Sequence, residues 1–472
     1  MMQPIHFGVN SYKAKSGLIS AERMVNCYAE ITQQTSPFPN MVSGTAGLSV
    51  WKDTAVSLPI YGMRVMGENL YVVAGNYVFK IDSTGTKTTL GEITTEVGQV
   101  TMTDNGTQVT IQLPSGAVYY CTDTANSLTQ IPDGDFNDSG SVTTLDGFTV
   151  SALLDSNEFQ WSAINATQTW AALDAATVEA NSSKIVRVMM NNLELWFFKE
   201  DITQVYYNTG TGSPLFRRKE GVYIEKGCAA KHSVATMDNS FFFLGNDRII
   251  YQTIGYQLKP ISTFPISQEL EKYAIISDAI GFTYVQDGHK FYCLNFPSEN
   301  TTWEFDITTE LWHERESVNN QGVDGRWRAN CHTYFAGKNL VGDFQTGIIY
   351  ELDPDVYTEN GTVIKREIVG TTIFKNFARI TMNKFTVLMD TGVGISTGQG
   401  SEPQIVGRFS INGGKTYTNE LWQPTGAEGS FLTEVFWTKF GQGRSFIAKL
   451  NYSEPTKFCI AGVFIETESE DD

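Results

Sequence analysis

Five histidines, His6, His232, His289, His313 and His332, are the only imidazoles in the chain, so proton transfer near neutral pH would have to run largely through them. Lys231-His232-Ser233 sets a histidine beside a hydroxyl, but neighbouring residues of a strand face opposite sides, and no Gly-x-Ser-x-Gly elbow exists to present a nucleophile. His313, within Trp312-His313-Glu314-Arg315, reads as a packed residue of an aromatic strand. Paired carboxylates such as Asp133 with Asp135, or Glu200 with Asp201, read as turn caps and solvated loop charge. Asp133-Gly134-Asp135-Phe136-Asn137-Asp138 lacks the full spacing of a calcium loop, and Asn208-Thr209-Gly210-Thr211-Gly212 lacks the lysine that a phosphate-cradling loop needs. Six cysteines (Cys27, Cys121, Cys228, Cys293, Cys331, Cys459) lie far apart without a Cys-x-x-Cys pair, and read as reduced, packed thiols of a protein folded in a cytosol. No catalytic, cofactor-binding or metal-binding residue is assigned, and an enzyme is not expected.

Ser410-Ile411-Asn412-Gly413-Gly414-Lys415-Thr416-Tyr417 resembles the Asp-box of sialidase-type propellers, with Asn412 where that box has aspartate. Its physics is local: Asn-Gly-Gly supplies positive φ angles and side-chain caps for a tight hairpin. A glycosidase would also need an arginine cluster with a tyrosine and glutamate pair, and no spacing marks one out. A carbohydrate-active or glycan-binding propeller is the alternative reading, and such a cluster at the propeller centre would favour it.

The elements that would position any site are strands. From about residue 60 to 365 one grammar recurs: a polar turn, an apolar strand, a second turn and another strand. The first unit runs from Gly67-Glu68 through Asn69 to Val73, turns at Gly75-Asn76, and returns through Tyr77 to Ile81. Later units open at Asp104, Asp146, Asn191, Asp238, Asp287 and Ala336, at spacings of roughly 37 to 50 residues, the span of a four-stranded propeller blade. Each unit has an apolar face that only stacking on neighbours can bury. The expectation is an all-β chain with a seven-bladed β-propeller over 58–368, an N-terminal segment 1–57 with a short helix and strand, and an antiparallel β-sandwich over 369–472. Longer alternating runs, such as Phe385 to Met389 and Phe458 to Ile465, suggest the sandwich. Two short helices are expected, Ser20 to Ala29 and Ile266 to Tyr273.

Composition bounds the partners. Charged residues are only 18% of the 472, aromatics reach 12%, and 52 acidic against 34 basic residues give a net charge of −18. So acidic a surface repels polyphosphate on average, which argues against sequence-reading nucleic-acid binding. The start, MMQPIHFGVN, does not read as a secretory signal, no run approaches the length of a membrane helix, and no membrane insertion is expected. The acidic end, Glu466, Glu468, Glu470, Asp471 and Asp472, reads as a disordered tail.

One resemblance reaches further. Ser20-Ala21-Glu22-Arg23-Met24-Val25-Asn26-Cys27-Tyr28-Ala29-Glu30, then Ser43-Gly44-Thr45-Ala46-Gly47-Leu48, then Tyr61 to Met66, closing at Gly85-Thr86-Lys87-Thr88-Thr89-Leu90-Gly91, resembles the opening of the phage packaged-DNA stabilisation family. The family pattern is an Arg-x-Val-Asn-x-Tyr-Pro-Glu segment, a Pro-Gly-Leu segment and a first blade ending in Gly-Thr-x-Thr-x-Leu-Gly. Arg23, Val25, Asn26, Tyr28, Glu30, Gly47 and Leu48 keep it, while Ala29 and Ala46 replace prolines. The resemblance implies a subunit of a tail hub or nozzle of a short-tailed phage: a ring, hexameric, below the portal and the head-to-tail adaptor. It implies that the ring continues the DNA channel, helps retain packaged double-stranded DNA without reading its sequence until ejection, and carries tail fibres or tailspikes. Localisation in the virion tail after assembly in the host cytoplasm follows from it, with Arg23, Asn26, Tyr28 and Glu30 as candidate partner contacts and no cofactor.

Overall fold

The computed structural model describes residues 2–32, 38, 40–93, 98–179, 181–211, 214–375 and 378–469. Antiparallel meanders dominate it. Five four-stranded sheets follow one another: a first blade (Ile60–Glu92 in four strands), a second (Thr101–Gln130), a third (Ser139–Thr177), a fourth (Ile185–Arg218) and a fifth (Ala235–Pro260). A closing blade takes three strands from Ala329–Asp353, and its next strand, Gly47–Asp53, comes from the N-terminal side of the propeller. The two middle strands of every repeat unit lie where the turn-strand grammar puts them.

These middle strands form because both of their faces are buried, each against a different neighbour. Leu70, Val72 and Ala74 pack toward Leu340 and Ile349 of the closing blade, while Tyr71 and Val73 of the same strand pack toward Val109 and Ile111 of the second. Phe241 and Phe243 face Trp196 and Phe198 of the fourth blade, and Phe242 and Leu244 face Tyr292 and Leu294 on the other side. Tight turns between the strands use left-handed residues, as at Asp146-Gly147 (φ 51° and 82°) and Asp287-Gly288 (φ 51° and 82°). At Gly47, where the N-terminal strand enters the closing blade, an added Cβ would lie 2.3 Å from the Val356 carbonyl oxygen, so only glycine permits the approach.

The blade count differs from the expected seven. Six blade sheets stand by themselves; the remaining meander, Ile280–Glu314, sits between the fifth and closing blades but is part of a ten-stranded sheet. Its outer strand, Leu311–Glu314, pairs with Ala21–Val25, and the sheet continues through Arg366–Val369, Ile447–Tyr452, Gln404–Ser410 and Leu421–Pro424. A seven-stranded sheet holds Met2–Ile5, Cys27–Ile31 and Asn40–Gly44 together with Ile380–Met389, Val435–Thr438, Gln442–Gly443 and Cys459–Ser469. The two large sheets share one apolar core, in which Met24, Ile368, Ile405, Phe409 and Leu450 meet Phe385, Val387, Trp437, Ile460 and Val463.

Two local expectations are corrected. Ser20 to Ala29 is not a helix: Ala21–Val25 and Cys27–Ile31 are strands, broken by Asn26 at φ 54°. Glu466 and Glu468 are not in a disordered tail but in the last strand, opposite Lys384 and Thr381; Glu470, Asp471 and Asp472 lie outside the described residues. The second expected helix is present as Phe264–Lys272, with Ile266 and Leu270 buried.

Candidate functional site

The residues singled out by the N-terminal motif gather where the propeller meets the two large sheets. Ala21–Val25 runs antiparallel to Arg366–Val369 on one side and meets Leu311–Glu314 in parallel on the other. The left-handed turn at Asn26 then throws the chain into the other large sheet. Asn26 fixes that turn by bonding to both flanking segments: its amide nitrogen donates to the carbonyls of Glu316 (2.9 Å) and Lys365 (2.8 Å), and its oxygen accepts from the Glu316 N–H (3.0 Å). Asparagine suits the site because it tolerates this backbone conformation and carries both a donor and an acceptor.

Arg23 is the hub of a charged cluster. Its guanidinium donates to Glu314 (2.6 Å), Glu316 (2.6 Å) and Glu367 (3.2 Å), and Lys449 pairs with Glu367 at 2.6 Å. Burial works against the charge on Arg23, but Glu314 first and then Glu316 and Glu367 outweigh it and hold the group above its ordinary value. Tyr28 is buried with its ring edge against His289 (4.9 Å) and Phe291 (5.6 Å), and burial pushes its phenol up. Glu30 alone of the four candidate contacts is exposed, beside the exposed Ile31. The structure thus uses Arg23, Asn26 and Tyr28 internally and leaves Glu30 at the surface.

Sequence reasoning missed the buried charges behind this cluster. Glu304 accepts from the Tyr284 hydroxyl (2.6 Å) and bonds His313 Nε2 (2.8 Å). Arg315 lies over the Trp327 ring (3.8 Å) and reaches both Tyr284 (3.2 Å) and Glu304 (3.4 Å). Although burial opposes ionisation, Arg315 and His313 together hold Glu304 below the usual carboxylate range. His313 thus packs in an aromatic strand, edge-on to Phe291, as part of an ion network that spacing could not reveal.

The other chemistry-bearing motifs resolve into local roles. Lys231–Ser233 is a single 3-10 turn and not a strand, and Ser233 Oγ donates to the Ala230 carbonyl (2.8 Å) and accepts from the Leu244 N–H (3.2 Å). Asp133 caps the N–H groups of Asp135 and Trp170. In the Asp-box-like turn Asn412 Oδ1 accepts from the Thr416 N–H (3.0 Å), with Gly413 and Gly414 at φ 70° and 80°. Among the described residues no group of three or more His, Cys, Asp or Glu side chains is gathered for a metal, no disulfide joins the six cysteines, and no helix is long and apolar enough to cross a membrane. Between the innermost strands of the blades lies a pocket of about 180 Å³ lined by residues that include Tyr61, Arg64, Arg187, His232, Asn330 and His332, with no glutamate in its lining.

A closed ring of meanders, tied to two large sheets through a buried charged joint, defines the protein as a β-propeller. The chain belongs to the family described as bacteriophage P22 Gp10, beta-propeller, whose model matches residues 2–357; it is a bacteriophage structural protein of the packaged-DNA stabilisation family. Among solved structures it is similar to the computationally designed Ika8 protein (12% identity, 70% of this chain and 99% of that one, TM-score 0.40). It is also similar to the WD40 beta propeller domain of Doa1 (9%, 65% and 97%, 0.41) and to YCF48 bound to D1 peptide (11%, 66% and 98%, 0.40). No curated protein is matched by the chain.

Proposed function

We propose that the chain is a subunit of a ring-shaped tail hub or nozzle lying below the portal and adaptor, where it continues the DNA channel, helps retain packaged DNA until ejection and anchors fibres or spikes. The observation that carries this reading is the family match over residues 2–357, which takes in the N-terminal motif as well as the propeller. The net charge of −18 suits a channel wall along which a duplex slides without being held by phosphate contacts. In this reading the subunit forms a hexameric ring in the virion tail after assembly in the host cytoplasm, and acts without enzymatic chemistry. In the same reading 1–57, 58–368 and 369–472 act as functional segments of the chain, the last contributing strands to both large sheets. Glu30, exposed next to Ile31, touches the adaptor, while Arg23, Asn26 and Tyr28 hold the strand that presents it.

Light scattering and negative-stain microscopy of the purified protein, alone and mixed with portal and adaptor rings, test the proposal. A closed sixfold ring that caps the adaptor is the expected result. A monomer that ignores those rings would overturn it.

A further inference from the structure

Three basic side chains gather near the propeller axis in a strongly acidic chain. Arg187 comes from the innermost strand of the fourth blade, beside a break in its register, and Lys231 and His232 come from the turn that leads into the fifth. The Lys231 ammonium reaches across the ring to Gln112 of the second blade, donating to Oε1 at 2.9 Å. That oxygen already accepts from the Thr101 hydroxyl, and the Gln112 amide nitrogen donates to the Ser139 carbonyl, so the glutamine is fully engaged. Arg187 Nε is buried with no hydrogen-bond partner.

Among the described residues the groups that act on the three are one another and, on Arg187, the Cys228 thiol, with no carboxylate among them. Burial, and then the neighbouring Arg187, push Lys231 down to about 7; burial, Lys231 and Arg187 push His232 below its ordinary value; and burial lowers Arg187 to about 10. Asp104, on the innermost strand of the second blade, is engaged by Arg64 at 2.7 Å. Cations enclosed without a counter-charge are unfavourable unless an anion joins them. Arg187 and His232 are half-buried, and both line the pocket. A volume of about 180 Å³ accommodates a small ion with a few waters, each of roughly 30 Å³, and excludes a duplex.

We propose that the pocket between the innermost strands of the propeller binds a small oxyanion of the phosphate class, held by the Arg187 guanidinium and the His232 imidazole that line it, with the Lys231 ammonium, next in the chain to His232, adding charge from outside the lining. The planar guanidinium presents paired donors to a tetrahedral oxyanion, the ammonium supplies charge, and the imidazole contributes an N–H. The site lies inside one subunit and does not depend on ring assembly, so it stands or falls separately from the tail-hub reading.

Calorimetric titration of the full chain with inorganic phosphate, at an ionic strength held constant with sodium chloride and with acetate as a parallel titrant, tests it. Saturable phosphate binding is expected, weakened at least tenfold by Arg187→Gln and at least threefold by Lys231→Gln, and unchanged by Lys259→Gln, a cation on the outer strand of the fifth blade away from the pocket. Circular dichroism checks that each variant is folded; should one misfold, the other carries the comparison, together with a wild-type melting temperature that rises with phosphate at fixed ionic strength. Absence of saturable binding, an equal response to acetate, or undiminished binding in folded Arg187→Gln or Lys231→Gln would overturn the site.

Discussion

The seams between blades and the joint between propeller and large sheets are held by opposite means. Between the third and fourth blades the middle of the contact is apolar, with Phe159, Trp161, Phe197, Tyr206 and Phe216 packed ring to ring, Phe159 to Phe197 at 4.6 Å, and neutral hydrogen bonds from the Val188 and Met190 N–H groups to the Ser141 and Thr143 hydroxyls join the innermost strands. At the joint, Arg23, Glu304, Glu314, Glu316, Glu367, His313, Arg315 and Lys449 are fully or partly buried and paired. Apolar stacking is tolerant of direction, so one seam can be repeated round a ring. Hydrogen-bonded charges demand particular partners, and here they select one docking of the N-terminal strand between two others. Aromatic packing fills the middle of the seam between the third and fourth blades, whereas the single connection to the large sheets is centred on buried ions.

The largest effects should come from breaking each region at its centre. Phe197→Ala in the seam is expected to cost about 3–5 kcal/mol, as for other buried aromatic truncations. Arg315→Met, which leaves Glu304 buried with only neutral and imidazole partners, should cost a similar amount, about 3–5 kcal/mol. Denaturant titrations at several pH values separate them: the Phe197 deficit should be flat with pH, whereas the Arg315 deficit should shrink in acid as Glu304 protonates. A pH-independent Arg315 deficit would mean that its contact with Trp327 matters more than its charge, and the contrast between the regions would fail.

Asn26 offers a smaller and more divisible test. Asn26→Ala loses three hydrogen bonds and forces alanine into the left-handed region, for a total of about 2–4 kcal/mol. Asn26→Gly keeps the backbone conformation accessible and should recover about 1 kcal/mol of that. Equal losses in the two variants would show that the side-chain bonds to Glu316 and Lys365 carry the whole effect.

What the sequence made legible follows the same division. The middle strands of each unit are hairpins with local turns, so alternating aromatic runs between Asp-Gly or Asn-Gly pairs expose them. The third unit is weakly patterned because its seam with the second is built from Gln108 with Gln168, and from Thr110 and Thr149 with Thr167, as well as a small apolar cluster. The outer strand of the closing blade comes from residues 47–53, nearly three hundred positions from its partner, and no local signal could announce that pairing. Met24, Val25, Tyr28 and Ala29 recur at helical spacing, yet the segment is two strands, because pairing with Arg366–Val369 and the ion cluster override that periodicity. The axial cations were invisible because they come from different blades and linkers, and the Glu304 network because it depends on strand register, Glu304 standing opposite His313 on the neighbouring strand.

The smallest effect concerns the edge between the two regions, where His289 meets Asp306 at 2.7 Å beneath Tyr28. Asp306 is also bonded by the Thr308 N–H and the Thr309 hydroxyl, so it faces the imidazole in a fixed orientation. The bond to Asp306 raises the His289 pKa above its ordinary value even though burial opposes the charge. A histidine raised on folding contributes stability that is fully present below its unfolded value of about 6.5 and is lost as pH rises through the higher folded value. His289→Gln, which keeps a neutral donor near Asp306, should therefore destabilise the protein more at pH 6 than at pH 9. The difference should disappear in Asp306→Asn, where no carboxylate remains to raise the imidazole. Denaturation of the two single variants and the double variant across that range measures it. A His289→Gln deficit that is constant from pH 6 to 9 would place this contact with the neutral packing of the blades instead of with the charged joint, and would move the boundary between the two regions to Arg23.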